Sequence, residues 1–244
     1  MRSIVLGLVL SLVFVSAAAP PALADSSPVD ITSADGTVLK GSYYDPGQPG
    51  PGMLLVHQCN MDRTSWESLA GSLSAAGIHV LTFDLRGFGE TPGEGLVSPD
   101  SFPRLMQQSP PDVDAAYALL LAQDGVDAAR TGVGGASCGV ALTSDLATRN
   151  PDVKAFLALS GFPSDAAKEH IAMTPGLAVF GAAADADDLT PGVHEVIKAS
   201  VEGSKNEQSM VKIYGGTEHG LPMFGKNPDL EPAIVDWLKG QLLH

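Results

Sequence analysis

Short apolar runs alternate along this chain with longer segments in which apolar residues recur at helical spacing. The runs typical of buried strands lie at 53–57, 79–84, 131–136, 155–160, 177–182 and 210–214. The helix-like segments lie at 65–76, 112–123, 140–149, 192–202 and 230–243. This alternation predicts an α/β fold, in which a mostly parallel sheet is covered by helices on both faces.

A hairpin is predicted ahead of the first buried run. Asp35-Gly36 is a turn pair between strand-like stretches at 29–32 and 38–44, which brings the expected sheet to about eight strands. The chain of 244 residues shows no internal repeat and no dividing linker. We therefore expect a single α/β domain over residues 25–244.

Residues 1–24 have the parts of a cleaved secretory signal. They contain Arg2, an apolar stretch from Ile4 to Val15 and a final Ala22-Leu23-Ala24. The apolar stretch is shorter than the roughly 20 residues that span a bilayer, which disfavours the alternative of a retained membrane anchor. We place the cleavage before Asp25 and expect a secreted or periplasmic protein that does not insert into the membrane afterwards.

Acidic residues dominate the charge of the chain. The formal net charge is −14, and removal of a leader that holds one cation and no acid leaves −15. Such a chain repels phosphate backbones and anionic lipid surfaces, so nucleic acid is not an expected partner. No cluster of His, Cys and carboxylate residues has the spacing of metal ligands, and we expect no metal and no other cofactor.

A G-x-S-x-G pentapeptide, Gly135-Ala136-Ser137-Cys138-Gly139, lies between a predicted strand and a predicted helix. A serine in such a sharp turn has strained backbone geometry, so the residues two before and two after it need to lack side chains. The turn would hold the hydroxyl at the carboxyl edge of the sheet, near a helix N-terminus that favours a developing oxyanion. We therefore predict Ser137 to be a nucleophile; the alternative is an ordinary glycine-rich turn with a serine helix cap.

A serine nucleophile needs a histidine base and a carboxylate that orients the base, and the order serine, acid, histidine is the one to test. His219 lies in a flexible loop directly after the last predicted strand. The other histidines precede the serine, fall in helix-like segments or end the chain: His57, His79, His170, His194 and His244. We predict His219 to be the base, with a surface loop histidine as the alternative.

Three acids follow the predicted strand at 177–182, and Asp185 is the nearest to the end of that strand. We predict Asp185 to be the acid of the triad. Asp187 and Asp188 are interpreted as a solvated acidic turn that caps the helix beginning near Pro191.

The tetrahedral intermediate needs two backbone N–H donors, one after the nucleophile and one after the strand at 53–57. These donors would be the amides of Cys138 and Cys59. Because both cysteines would converge on one oxygen, they could form a disulfide that fixes the spacing of the donors. The alternative is two buried free thiols.

These motifs together resemble the α/β-hydrolase superfamily, and in particular a branch of exported bacterial proteins similar to dienelactone hydrolases. The resemblance covers about residues 36–242 and rests on Leu54-Leu55-Val56-His57, Asp84-Leu85-Arg86-Gly87-Phe88-Gly89, the pentapeptide at 135–139, Asp185 and His219-Gly220. It implies a triad of Ser137, Asp185 and His219. Gln58 stands where many relatives have glycine, and dienelactone hydrolases have cysteine where this chain has Ser137, which argues against strict dienelactone specificity.

Many members of the superfamily carry a lid domain after the strand that corresponds to 155–160. Here only residues 161–175 separate that strand from the next, which is too short for a separate lid. We expect an open cleft walled by 101–109 and 161–173.

The expected function is hydrolysis of small-molecule carboxylic esters through an acyl-enzyme on Ser137. One alternative keeps the triad and changes the bond to a thioester, a lactone or a peptide. Another is a binding protein of the cell envelope that has the fold without catalysis.

Overall fold

The computed structural model describes residues 26–98 and 100–244, so the predicted leader lies outside the described residues. Eight strands form one sheet, as predicted. Their bounds are β1 Ser26–Thr32, β2 Val38–Tyr44, β3 Gly50–Val56, β4 His79–Phe83, β5 Val126–Ala136, β6 Val153–Leu159, β7 Ala178–Ala184 and β8 Met210–Tyr214.

Helices connect the strands and cover both faces of the sheet. Their bounds are α1 Glu67–Ala75, α2 Ser101–Gln108, α3 Pro110–Leu121, α4 Cys138–Arg149, α5 Asp165–Met173, α6 Val193–Glu202, α7 Met223–Lys226 and α8 Leu230–Leu242, with a short 3-10 helix at Arg63–Trp66 before α1. The predicted cleft walls at 101–109 and 161–173 contain α2 and α5. No large lid domain is evident in the part of the chain that the structure describes.

The strand order is β1-β2-β4-β3-β5-β6-β7-β8. The pairs β1 with β2 and β2 with β4 are antiparallel, and every later pair is parallel. The carboxyl ends of the central strands therefore meet at one edge of the sheet, the edge at which doubly wound α/β folds place their sites. The predicted architecture, a mostly parallel sheet of eight strands with helices on both faces, is confirmed.

The sheet separates two apolar layers. Side chains alternate along β3, so that Leu54 and Val56 pack on one face with α3 and α4, while Met53 and Leu55 pack on the other with α1 and α8. Glycines of β5 make this packing close: a Cβ on Gly134 would lie 2.8 Å from Leu157 Cβ. The sheet is thus a rigid base for the loops at its carboxyl edge.

Within residues 26–98 and 100–244, no helix combines the length and the apolar character that crossing a bilayer requires.

Candidate active site

Ser137 occupies a sharp turn between β5 and α4, as the pentapeptide predicts. Its backbone has φ 52° and ψ −119°, a region that residues with a side chain rarely adopt. A Cβ on Gly135 would lie 2.2 Å from the carbonyl carbon of Gly139, and one on Gly139 would lie 2.4 Å from Val56 O. Both glycines are therefore required for the turn to pack against itself and against the end of β3.

Neighbouring strand ends hold this turn in place. Ser137 N donates to Leu159 O at 2.9 Å, which ties the serine to the end of β6. A Cβ on Gly161 would lie 2.3 Å from Ser137 O, so the chain that leaves β6 packs directly on the serine backbone. The hydroxyl is half-buried at the carboxyl edge of the sheet.

His219 is buried in the loop after β8 and faces a carboxylate. Its Nδ1 lies 2.8 Å from Asp187 Oδ2 and 3.0 Å from Asp187 Oδ1. Because an ionised carboxylate can only accept, Nδ1 carries the proton and Nε2 is left with a free lone pair. The histidine is thus held in the tautomer of a general base.

Asp187 is fixed by the turn that follows it. Its Oδ1 accepts from the backbone N–H of Leu189 at 3.1 Å and of Thr190 at 2.9 Å, and from the Thr190 hydroxyl at 3.1 Å. The carboxylate is fully buried, with 0% side-chain exposure. These bonds leave Oδ2 directed at His219.

The structure does not place Asp185, the predicted acid, against His219; Asp187 occupies that position. Asp185 is exposed, its N–H pairs with Tyr214 O at 2.8 Å, and its Oδ1 accepts from Gly216 N at 3.1 Å. The chain after β7 thus continues to pair with the chain after β8, and only two residues later does it turn under the histidine. The sequence analysis chose Asp185 because it is the acid nearest to the strand end. The additional pairing keeps Asp185 beside residues 214–216, so that Asp187 is the carboxylate that reaches His219.

Asp187 is not the solvated helix cap that was predicted. It is buried, and α6 has Gly192 as its N-cap with no side-chain cap bond. One oxygen of Asp187 accepts from the N–H groups of the turn at 189–190, and the other faces the histidine. Asp188 is exposed, as interpreted. A sequence signal for Asp187 exists in its spacing to Thr190, since an aspartate three residues before a threonine can accept that residue's N–H and so have its orientation fixed.

The serine and histidine loops lie side by side. A Cβ on Gly220 would be 3.6 Å from Ala136 Cβ, so the residue after the histidine is next to the residue before the serine. Among the described residues no hydrogen bond joins Ser137 Oγ to His219 Nε2. Contacts of this kind often become short only in the complex with substrate.

A disulfide joins Cys59 to Cys138, with 5.9 Å between the two Cα atoms. Cys59 follows β3 and Cys138 begins α4, so the bond links the two predicted oxyanion positions. Neither backbone N–H donates to a protein acceptor in the described part of the chain. Two amide donors therefore remain available beside Ser137.

His57, the residue before Gln58, is a structural group beneath this edge. It is fully buried, its Nδ1–H donates to Gln58 O at 2.8 Å, and its Nε2 accepts from Leu85 N at 3.0 Å. Burial lowers the pKa of His57 below its usual value, although the Gln58 carbonyl and nearby carboxylates act in the opposite direction. The imidazole is thus neutral and braces the start of the loop that carries Cys59.

As for metal sites, residues 26–98 and 100–244 contain no group of three or more His, Cys, Asp or Glu side chains that could hold an ion.

Solved structures share this fold. The chain resembles an esterase of Pyrococcus furiosus, with a TM-score of 0.70 and 16% identity, covering 89% of this chain and 93% of that one. It also resembles a cold-adapted esterase from an Arctic intertidal metagenomic library, with a TM-score of 0.67 and 20% identity over 89% and 94% of the two chains. A structure from Klebsiella pneumoniae provisionally described as a dienelactone hydrolase has a TM-score of 0.67 and 19% identity over 88% and 98%. At these identities the likeness establishes the fold.

Among curated proteins, an uncharacterised protein of Mycobacterium tuberculosis is 33% identical over 129 residues, which are 50% of this chain and 41% of the relative. The match thus spans less than half the length of that relative. The model of the dienelactone hydrolase family matches residues 73–229, a range that contains the serine turn, Asp187 and His219. The chain therefore belongs to the dienelactone hydrolase family.

Proposed function

We propose that this protein hydrolyses small-molecule carboxylic esters, with Ser137 as nucleophile, His219 as general base and Asp187 as the carboxylate that orients the base. The observation that carries this proposal is the buried Asp187–His219 pair, at 2.8 Å, in a loop that adjoins a serine with strained backbone. Family membership and the esterase neighbours support a hydrolytic reaction.

In the first half of the reaction, Ser137 Oγ attacks the ester carbonyl while His219 Nε2 takes the hydroxyl proton. The carbonyl oxygen becomes an oxyanion between the N–H groups of Cys59 and Cys138. The bond to the alcohol then breaks, and the alcohol leaves with the proton held by His219.

In the second half, water attacks the acyl-enzyme and His219 accepts a proton from it. The second tetrahedral intermediate collapses, Ser137 regains its proton, and the carboxylic acid is released. Throughout, Asp187 keeps the proton on Nδ1 and stabilises the imidazolium that forms twice in each cycle.

The experiment that tests the proposal is Ser137→Ala with a short-chain p-nitrophenyl ester. The variant is expected to retain its fold and to lose turnover, and a fluorophosphonate probe should label only the wild type. Turnover by the folded alanine variant at the wild-type rate would refute the nucleophile assignment. Thioesters, lactones and peptides assayed in parallel decide which acyl bond is preferred.

We further propose export of the mature chain from residue 25 to the periplasm or the medium. The disulfide supports this, because such bonds persist in oxidising compartments and are rare in the cytosol. N-terminal sequencing of the secreted protein tests the cleavage before Asp25.

A further inference from the structure

Gln58 is a buried polar side chain that joins the loop after β3 to the loop that carries His219. It follows β3, between His57 and Cys59, and is 1% exposed. Its Oε1 accepts from the backbone N–H of Leu221 at 2.8 Å, and its Nε2 donates to Asn60 Oδ1 at 2.7 Å. The first bond joins residues 163 positions apart in the sequence.

Gly220 lies directly against the Gln58 amide. Its backbone has φ +66°, and a Cβ at that position would lie 2.3 Å from Gln58 Oε1 and 3.6 Å from Ala136 Cβ. The Gln58 amide therefore fills the space beside the residue that follows His219. A side chain at position 220 would collide with the amide and would strain the backbone.

These contacts connect the serine to the histidine loop by an open path. The path runs from Ser137 to Cys138, through the disulfide to Cys59, then to Gln58, across its hydrogen bond to Leu221, and back along the chain to His219. Every link of this path is covalent except the hydrogen bond from Leu221 to Gln58. No hydrogen bond joins Ser137 directly to His219 in the described residues, so this path restrains their separation.

We propose that Gln58 is a positioning residue for ester hydrolysis, which holds the His219 loop at a fixed distance from Ser137 and from the Cys59 amide. The inference rests on the proposed function. Loss of the bond to Leu221 frees the histidine loop and leaves a buried N–H without an acceptor. We expect little change in substrate binding, because the Gln58 side chain is buried and both of its polar groups are bonded within the protein.

The test compares Gln58→Met, which fills the space but offers no acceptor, with Gln58→Glu. A buried glutamate has a raised pKa, so at about pH 6 a neutral carboxylic acid can accept from Leu221 and donate to Asn60. We expect Gln58→Met to lower kcat by about ten- to a hundredfold with KM within about twofold, since small misplacements of catalytic groups have effects of this size. At about pH 6, where the acid is neutral, Gln58→Glu should retain most of the wild-type kcat measured at the same pH, because its carboxyl oxygen accepts from Leu221 N as the amide oxygen does.

Tyr117→Phe is the matched control. It removes another buried hydrogen bond, from Tyr117 OH to Thr131 Oγ1 at 2.7 Å, five residues before the end of β5 and away from the site. It should lower the free energy of unfolding without changing kcat.

The proposal is overturned if folded Gln58→Met has a wild-type kcat, or if both Gln58 variants lose the same activity at every pH. These outcomes are separate from a failure of the proposed function, which would appear as turnover by Ser137→Ala.

Discussion

Replacement of Asp187 by asparagine tests whether this carboxylate keeps the proton of His219 on Nδ1. Two backbone N–H groups, from Leu189 and Thr190, require an acceptor at Oδ1. In Asp187→Asn the amide oxygen must therefore occupy this position, which directs the amide NH2 at His219 Nδ1. The shorter of the two contacts with His219, at 2.8 Å, would then join two donors, whereas the oxygen at the Oδ1 position, 3.0 Å from Nδ1, can still accept. The substitution therefore favours moving the ring proton from Nδ1 to Nε2, the tautomer that cannot act as a base.

The expected size of this effect follows from the role of the tautomer. Loss of the correct tautomer lowers kcat by about 10⁴-fold in the serine proteases from which the triad mechanism is known. Each tenfold loss corresponds to about 1.4 kcal/mol, so the barrier for acylation should rise by about 5 kcal/mol. The shape of the side chain and its turn hydrogen bonds are preserved, and the fold should therefore be retained.

Asp185→Asn is the control, two residues earlier in the same loop. Asp185 is exposed and its amide analogue can still accept from Gly216 N, so kcat should stay within about twofold of the wild type. The assay is steady-state hydrolysis of p-nitrophenyl acetate by both variants, with thermal unfolding to verify the fold. If Asp185→Asn loses the activity and Asp187→Asn retains it, the assignment drawn from the structure is refuted.

Two further predictions concern stability. The disulfide closes a loop with a sequence separation of 79, so a Cys59→Ala and Cys138→Ala double variant should lose up to roughly 4–5 kcal/mol of unfolding free energy in urea titrations; an unchanged midpoint would contradict this. The pKa of buried His57 is lowered, so below about pH 6.5 the unfolded chain binds a proton that the folded chain excludes. The unfolding free energy should therefore fall by up to about 1.4 kcal/mol per pH unit as the pH decreases below that point, and more steeply than in His57→Gln. Equal slopes for the two proteins would show that His57 does not contribute.

The parallel core of the fold could be predicted from the sequence because its strands are buried on both faces. Such strands read as continuous apolar runs, and β3, β4, β6 and β7 were each located to within about three residues at either end. The edge strand β8 is exposed or half-buried, and its bounds were predicted as well. The start of β5 was predicted five residues late, since residues 126–130 are exposed or half-buried and include Asp127 and Arg130. Only Val126 and Asp127 of this segment pair with β3, beyond a register shift in the ladder, so the segment does not form a continuous apolar run.

Helix α2 was missed for a related reason. Of its eight residues only Ser101 and Leu105 are buried, and Pro103 lies in its first turn. Phe102, Leu105 and Met106 do recur at helical spacing, but eight residues are fewer than the window in which such a repeat can be recognised. The segment was therefore predicted only as part of a cleft wall.

The sharp serine turn could be predicted from the sequence, whereas the carboxylate that pairs with His219 could not. The first depends on neighbouring residues and the second on distant ones. The turn needs residues without side chains at Gly135 and Gly139, and both lie within the pentapeptide itself. The sequence of five residues is therefore enough to predict the turn. Which carboxylate reaches His219 depends on how far the chain after β7 pairs with the chain after β8 before it turns. No single segment of the sequence determines the length of this pairing. Gln58 belongs to the same class, because its partner Leu221 lies 163 residues away. Such contacts between distant residues can be identified only in the folded structure, where the sheet brings the loops together. In the sequence, their one local sign is a glycine such as Gly220, where the Gln58 side chain from another loop leaves no space for a side chain.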